Sequence, residues 1–540
     1  MSKIKGTAFL VSNISLPFDV EEGEIIASAK KKMKRGGIDP AMLHFRLYKR
    51  SVDARKNADI RAVCTVLAVS DREISADSRR LAEQSIRVSG ESEPCVRIGT
   101  QPMGARPVVV GMGPCGMFAA LLLAENGYRP ILIDRGASVA DRVEAVDRFY
   151  REKRLDVNTN IQFGAGGAGT FSDGKLVTRI NDPNCNYVLA KLHAFGAPDD
   201  VLTKAKPHVG TDVLRTVVEN VLHRIEELGG TLMYNCRLEG IRRQGNTVIA
   251  STTAGDLACG VLLLALGHSA RDTYHMLMDN GFSLRPKPFS VGVRVEHLQS
   301  NIDKALYGAH AGHPLLGPAE YSLSYTKGDR GVYTFCMCPG GEVVAATSEE
   351  GGVVVNGMSH HARDGRNANA AVAVSVRPED VGNDVRRAIE FQRTLERAAF
   401  ALGGGNYTAP IQTMGDFMAG IATHEPTSVL PTYMGGACRV ADLSTILPSF
   451  VSESLKIGFS VFDKRLPGYA DAQAVLTGVE TRTSAPLTIE RTENLTAPVD
   501  DLVYPCGEGA GYAGGITSAA VDGIRVALAV MERFAASERS

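Results

Sequence analysis

The residues of this chain whose types and spacing could do chemistry are, first of all, glycines. Gly111-x-Gly113-x-x-Gly116 lies between the apolar run "PVVV" and the apolar helical pattern "CGMFAALLLAE". Asp134, followed by Arg135, closes a second apolar run, "PILI", roughly twenty residues further on. In a strand–turn–helix–strand unit each of these positions has a physical task. Gly111 permits the sharp turn out of the strand, Gly113 lets a pyrophosphate approach the backbone, and Gly116 lets the helix pack close to the sheet. The helix start at Pro114 and Cys115 offers free N–H groups and a positive dipole end to phosphate, while Asp134 stands where a carboxylate accepts from ribose hydroxyls. The pattern predicts a bound dinucleotide.

Two further segments are of the same kind. "GVLLLALGHS" reads as a buried strand closed by Ala265 and Gly267, with simple strand termination as its plain alternative. "YPCGEGAGYAGGITSAAVDGIRVALAVMERF" places Gly507, Glu508, Gly514, Gly515 and Ile516 between an apolar run and a helix, with no strand after it. Three such strand ends can share one parallel sheet, and ligands bind in the crevice beyond the carboxyl ends of its strands. Gly164-x-Gly166-x-x-Gly169 also fits the glycine spacing but precedes "TFSDGKL" instead of an amphipathic helix, so it is not a second nucleotide site. Gly403-Gly404-Gly405 follows a helical pattern and reads as its stop. His360-His361 and His424-Glu425 lack metal-ligand spacing, and no metal is expected. Nor is there a nucleophile elbow, which leaves the chemistry to a cofactor.

Taken together, these segments resemble the large flavoprotein group typified by glutathione reductase and the succinate dehydrogenase flavoprotein. With "FGAGGAGTFSDGKLVTR", "YKRSVDARKN", "FCMCPGGEVVAATSEEG", "VNGMSHHARDGRNANAAVAVSV", "VETRTSAPLTIER" and "PCGEGAGYAGGITSAAVDG", the chain is similar, nearly end to end, to a bacterial family of FAD-dependent dehydrogenases carrying an N-terminal ferredoxin-like domain. The resemblance implies noncovalent FAD. It lays Gly166, Gly167, Thr170, Ser172, Asp173 and Lys175 against the cofactor, where the bare residues would equally suit a capped surface turn. It also lays the final glycine-rich segment over the ribityl chain and ring. Gly507-Glu508 departs from the group's usual Gly-Asp, which puts a direct carboxylate bond to the ribityl chain in doubt, and Cys115 stands where alanine is common.

The elements that must position these residues can be traced along the 540 residues. Residues 1–90 read as a small α+β module and its linker, 105–284 as the first part of a Rossmann-like domain, 285–480 as an inserted antiparallel β domain, and 481–540 as the return to the nucleotide fold. Within the second, "TDVLRTVVENVLHRIEELGG" is an amphipathic helix with Thr211 as its N-cap. The fold class is therefore α/β with an inserted sheet. Lys plus Arg (59) and Asp plus Glu (60) nearly cancel, so no overall field draws the chain to nucleic acid or membrane. No run approaches the roughly 18 apolar residues of a membrane span, and a cytoplasmic enzyme is expected. Ten cysteines show no zinc or iron–sulfur clustering, and Cys336 and Cys338 read as packing residues more readily than as a redox couple.

The function expected is an FAD-dependent oxidoreductase of dehydrogenase type, passing a hydride between FAD and a small substrate. Arg294, Arg363, Arg482 and Arg491 are candidates to clamp an anionic group on it. Two other readings stand beside this one. Residues 1–72 carry fourteen Lys or Arg against eight Asp or Glu, an excess of six, which would suit a flavoprotein working on RNA. A flavin serving as a redox sensor needs no turnover at all.

Overall fold

In a computed structural model, residues 3–55, 59–89, 93–328, 330–422 and 424–536 are described. The centre is a five-stranded parallel sheet. Its strands run, from one edge to the other, Val503–Pro505, Leu262–Leu264, Val108–Val110, Ile131–Ile133 and Thr231–Met233. Val108 lies opposite Leu262 on one side and Ile131 on the other. These three-residue strands are almost wholly apolar because both faces are covered, as parallel sheets require. The Val503–Pro505 strand thus joins the sheet at its edge beside Leu262–Leu264, and the helix after it, Ile516–Arg533, folds back onto the Pro114–Glu125 helix. A two-residue strand not expected from sequence, Phe534–Ala535, follows that helix and pairs with Gln101–Pro102. The backbones of the two helices approach so closely that a Cβ on Gly523 would lie 2.1 Å from the Cys115 carbonyl oxygen. Only glycine fits there.

The Thr211–Glu227 helix forms where its apolar spacing places it, burying Leu214, Val218, Val221 and Ile225. Its cap differs from expectation. Gly210 is the N-cap, and Thr211 lies inside the first turn, its hydroxyl donating 2.7 Å to the Thr170 carbonyl. A β-branched residue that finds a carbonyl in a neighbouring loop has no need to cap its own helix.

The N-terminal module is a four-stranded antiparallel sheet with strand order His44–Asp53, Arg61–Asp77, Lys3–Pro17, Ile86–Val88. Its helix Glu22–Arg35 buries Ile25, Ala29 and Met33, and Leu81 of the short helix Ser78–Glu83 joins the same core. Ile86–Val88, taken from sequence as linker, completes this sheet, so the module ends only after it.

The inserted domain is a seven-stranded sheet ordered Ser324–Lys327, Arg330–Cys338, Asn367–Val376, Phe289–Leu298, Val475–Glu480, Ala409–Thr413, Cys438–Val440. Its pairs are antiparallel except the outermost, where Ala409–Ile411 runs parallel to Cys438–Val440. The helices Val385–Leu402 and Ser449–Arg465 belong to it, and Gly403 is the C-cap of the first. The sheet's pairing breaks register between Phe335 and Cys338, leaving a bulge at Cys336 and Met337.

Candidate functional site

A cavity of about 340 Å³ opens beyond the carboxyl ends of the parallel strands, between them and the inserted sheet. Four adjacent strands contribute in order: Asp134 and Arg135 after Ile131–Ile133, Gly111 and Gly113 to Cys115 after Val108–Val110, Ala265 to Ala270 after Leu262–Leu264, and Glu508 with Gly514 to Ile516 beyond Val503–Pro505. Neighbouring strands are about 4.8 Å apart, so these four ends span roughly 14 Å. The site is elongated, with Asp134 at one end and Glu508 at the other.

At the Asp134 end the carboxylate is already engaged. Oδ2 accepts the Met112 N–H at 2.9 Å, and Oδ1 accepts those of Gly136 and Gly164 at 2.9 and 3.0 Å. Its first task is therefore to fasten three turns together, and a ribose hydroxyl would meet only the acceptor capacity that remains. Arg135 lies over the Phe163 ring, 4.3 Å from its centroid, and is pinned by Asp272 through two bonds of 2.8 and 2.9 Å. Cys236, Arg237 and Leu238, just past the fifth strand, complete that end.

In the middle, Gly113 caps the Pro114–Glu125 helix without a side chain, and a Cβ placed on it would have only the Gly167 Cα nearby, at 3.9 Å. Its open face is the cavity. Gly116 is not on the wall: a Cβ there would strike the Gly111 carbonyl at 1.9 Å, so this glycine serves the turn beneath the site.

The Gly164–Lys175 loop closes over the strand ends with its backbone gathered around Arg142. That side chain is fully buried and donates to the carbonyls of Asn160, Ile161, Ala165 and Gly167 at 2.7 to 2.9 Å. Gly167, Ser172, Asp173 and Lys175 face the cavity, whereas Gly166 and Thr170 do not. Gly166 turns against Thr170 with φ 83°, and the buried Thr170 hydroxyl donates back to Ala165. Asp173 is clamped by Lys175, Arg363 and the Ser359 hydroxyl. Burial alone would raise its pKa, but Lys175 and Arg363 outweigh that and hold it well below the usual carboxylate range. Lys175 in turn donates to the Met337 carbonyl, tying this loop to the bulge of the inserted sheet.

At the far end Glu508 accepts the Gly515 N–H at 3.4 Å, at the N-cap of the Ile516–Arg533 helix. Burial, only partly offset by that bond and by Lys287, pushes its carboxyl up to about 7. Gly514 and Gly515 have open space where a Cβ would be, as does Gly267. Gly507 is off the wall: its N–H is held by Asp522 at 2.8 Å, and Cys115 packs against its Cα. His268 lines the cavity as a neutral imidazole, its pKa lowered to about 3 by burial and by Arg482 and Arg271.

None of the four candidate arginines is left open to clamp a substrate. Arg294 pairs with Glu480 at 2.9 Å, Arg363 with Asp173 and Glu320, Arg482 with Glu396 at 2.8 Å, and Arg491 with Asp522 at 2.8 Å. Arg482 alone among them reaches the cavity wall. From the inserted domain come Phe335, Cys336, Asn356, Glu480 and Thr483, which sequence reasoning did not assign to the site. Among the described residues no group of three or more His, Cys, Asp or Glu is placed to hold a metal ion.

The chain is 46% identical over 532 residues to a Clostridium beijerinckii protein described as an "Uncharacterized protein", covering 98% of this chain and 99% of that one. It belongs to that protein's family. Residues 288–483, the inserted domain, match the model of the family "FAD-dependent protein, C-terminal domain-like". Its cofactor is FAD. Among solved structures it is similar to a geranylgeranyl bacteriochlorophyll reductase-like protein of Thermoplasma acidophilum, with a TM-score of 0.35, 11% identity and 80% of each chain covered. It is similar also to CtdE in complex with FAD, with a TM-score of 0.32, 10% identity, and 78% of this chain and 84% of that one covered.

The residues present fit this group. An elongated cavity crosses four strand ends, a glycine-capped helix start opens onto its middle, and side-chain-free glycines line its far end. The pyrophosphate would meet Gly113 to Cys115, the adenosine the Asp134 and Arg135 end, and the ring the stretch from Glu508 to Ile516.

Proposed function

We propose that the chain is an FAD-dependent oxidoreductase of dehydrogenase type, taking a small substrate between the ring end of the cavity and the inserted sheet. What carries this reading is the way the cavity ends: Glu508, Gly515 and Ile516 of the nucleotide fold face Phe335, Cys336 and Asn356 of the inserted domain across one space. FAD supplies the two-electron chemistry when bound. The chain's own part is to position and to manage protons. Lys175 and Arg363 hold the Asp173 loop against the inserted sheet, and Phe335 and Val177 flank the space with apolar surface that limits water. Glu508, with its carboxyl pushed to about 7, holds or releases a proton at Oε near neutral pH.

We read the N-terminal module as ferredoxin-like, on the grounds of its strand–helix–strand–strand–helix–strand order and the antiparallel arrangement that places Arg61–Asp77 and Lys3–Pro17 at the centre. Lys30, Lys31, Lys34 and Arg35 of its helix are exposed, the usual place for such charges, and by themselves do not favour the RNA reading. The described helices include none long and apolar enough to cross a membrane.

The test is anaerobic reduction of the bound FAD by a panel of donors: NADH, NADPH, and amino and hydroxy acids. Bleaching by at least one donor within seconds, with recovery on adding an electron acceptor, is the expected result. A flavin that dithionite bleaches but no donor touches would favour the sensor reading instead.

A further inference from the structure

Cys336 is a half-buried cysteine on the cavity wall with backbone φ of 44°, in the left-handed region that non-glycine residues seldom occupy. Such a conformation is kept where surrounding structure demands it, and bulges near sites re-aim side chains. Here the bulge turns Cys336 toward the space shared with Glu508 and leaves Cys338 fully buried behind it.

The two thiols are placed as a pair. In a regular strand, residues two apart have Cα atoms roughly 6.6 Å apart, the upper edge of what a disulfide spans. The left-handed turn at Cys336 draws the chain in, and the Cys338 thiol donates 3.3 Å to the Cys336 carbonyl. Around them stand the Lys175 amine, reaching the Met337 carbonyl between the two cysteines, and the Arg294 guanidinium. Arg294 donates 2.6 Å to the Cys336 carbonyl and lies 3.7 Å from the Cys338 sulfur.

We propose that Cys336 and Cys338 form a dithiol–disulfide couple that exchanges electrons with FAD, Cys336 being the sulfur that meets substrate. The inference rests on the ring lying at the Glu508 end. The neighbouring Cys338 thiol and, against burial, Lys175 and Arg294 lower the Cys336 thiol below its usual range. The surroundings thus favour the thiolate at Cys336 and the protonated thiol at Cys338. When the S–S bond forms, the thiolate and the thiol together give up two electrons and one proton, and FAD takes up all three. Run in reverse, the couple returns to the dithiol and can reduce an organic disulfide. The Cys336 thiolate attacks one substrate sulfur and expels the other half as a thiolate. Cys338 then passes its proton to that thiolate, closes on Cys336 and releases the second half. A disulfide or thiol is thus the substrate class this wall would serve. Cys336 is accessible for it and Cys338 is shielded, the arrangement of an attacking and a resolving sulfur.

The experiment is an anaerobic dithionite titration of the FAD-loaded protein, with peptide mapping of residues 330–338 in the oxidised and reduced forms after thiol blocking. The couple predicts that the parent takes up twice the electrons per flavin of Cys338→Ser. It also predicts that the oxidised peptide carries a Cys336–Cys338 disulfide that reduction opens. The mapping needs only the parent, so a variant that fails to fold leaves the test intact. Equal uptake in parent and variant, both thiols blocked in the oxidised protein, or a disulfide that adds no electron uptake would each overturn the couple. In every such case normal flavin reduction would leave the FAD reading standing.

Discussion

Glu508 is where the residue scale decides most. Its carboxyl belongs to the cavity, at a helix start that would stabilise a charge, yet burial wins and raises it to about 7. A free glutamate titrates near 4.3, so the folded protein holds a proton here that the unfolded chain has lost between those two values. Stability from this group is complete below about pH 4.3 and is lost as pH rises through about 7. Glutamine cannot ionise, so Glu508→Gln should flatten the fall in melting temperature between about pH 4.3 and about 7. An unchanged slope in FAD-free protein would show that burial does not govern this carboxyl. The glycines and Asp134 were legible in the sequence because their spacing states a backbone requirement. Arg142, on which the Gly164–Lys175 loop is gathered, was not, since a buried arginine bonded to carbonyls looks in sequence like any surface one. The four candidate arginines failed for the converse reason, each having found an internal carboxylate.

At the scale of elements, the Ile516–Arg533 helix matters most. It starts at the cavity, and Ile516, only 9% exposed, is on the wall. A helix start acts as roughly half a positive charge, worth up to about 2 kcal/mol to a partly buried anion. For a two-electron couple about 30 mV corresponds to 1.4 kcal/mol, so this end can raise the potential of a ring beside it by up to roughly 40 mV. Glu508 already takes one N–H there, which makes that figure a ceiling. Ile516→Glu should lower the midpoint potential of bound FAD in a spectroelectrochemical titration. A potential that stays put or rises in a folded, FAD-loaded variant would mean the helix faces away from the ring. Periodicity located this helix and the parallel strands. It missed the bulge at Cys336, because "GVYTFCMC" reads as one nearly continuous apolar run and the slip exists only relative to the paired strand Asn367–Val376.

On the scale of the whole molecule, three bodies of structure meet. The nucleotide fold and the inserted sheet share the cavity, whereas the N-terminal module has its own core and none of its described residues lines the wall. Removing residues 1–90 should therefore leave FAD stoichiometry unchanged in soluble protein, although Ile60, which packs into the inserted domain, would leave a gap. Loss of FAD from folded, truncated protein would assign the module a part in building the site. The short β-like runs that pair in the seven-stranded sheet were readable from texture along the chain. Which residues of the inserted domain line the cavity was not, since Lys175 and Met337 meet across a separation of 162 residues. The central claim is that FAD lies across the four strand ends, adenosine toward Asp134 and ring toward Gly515. Diffraction from crystals of the FAD-loaded protein tests it most directly. The account predicts density with the pyrophosphate over Gly113 and the ring between Gly515 and Cys336. Density that reverses the two ends, or that lies outside this cavity, would contradict it.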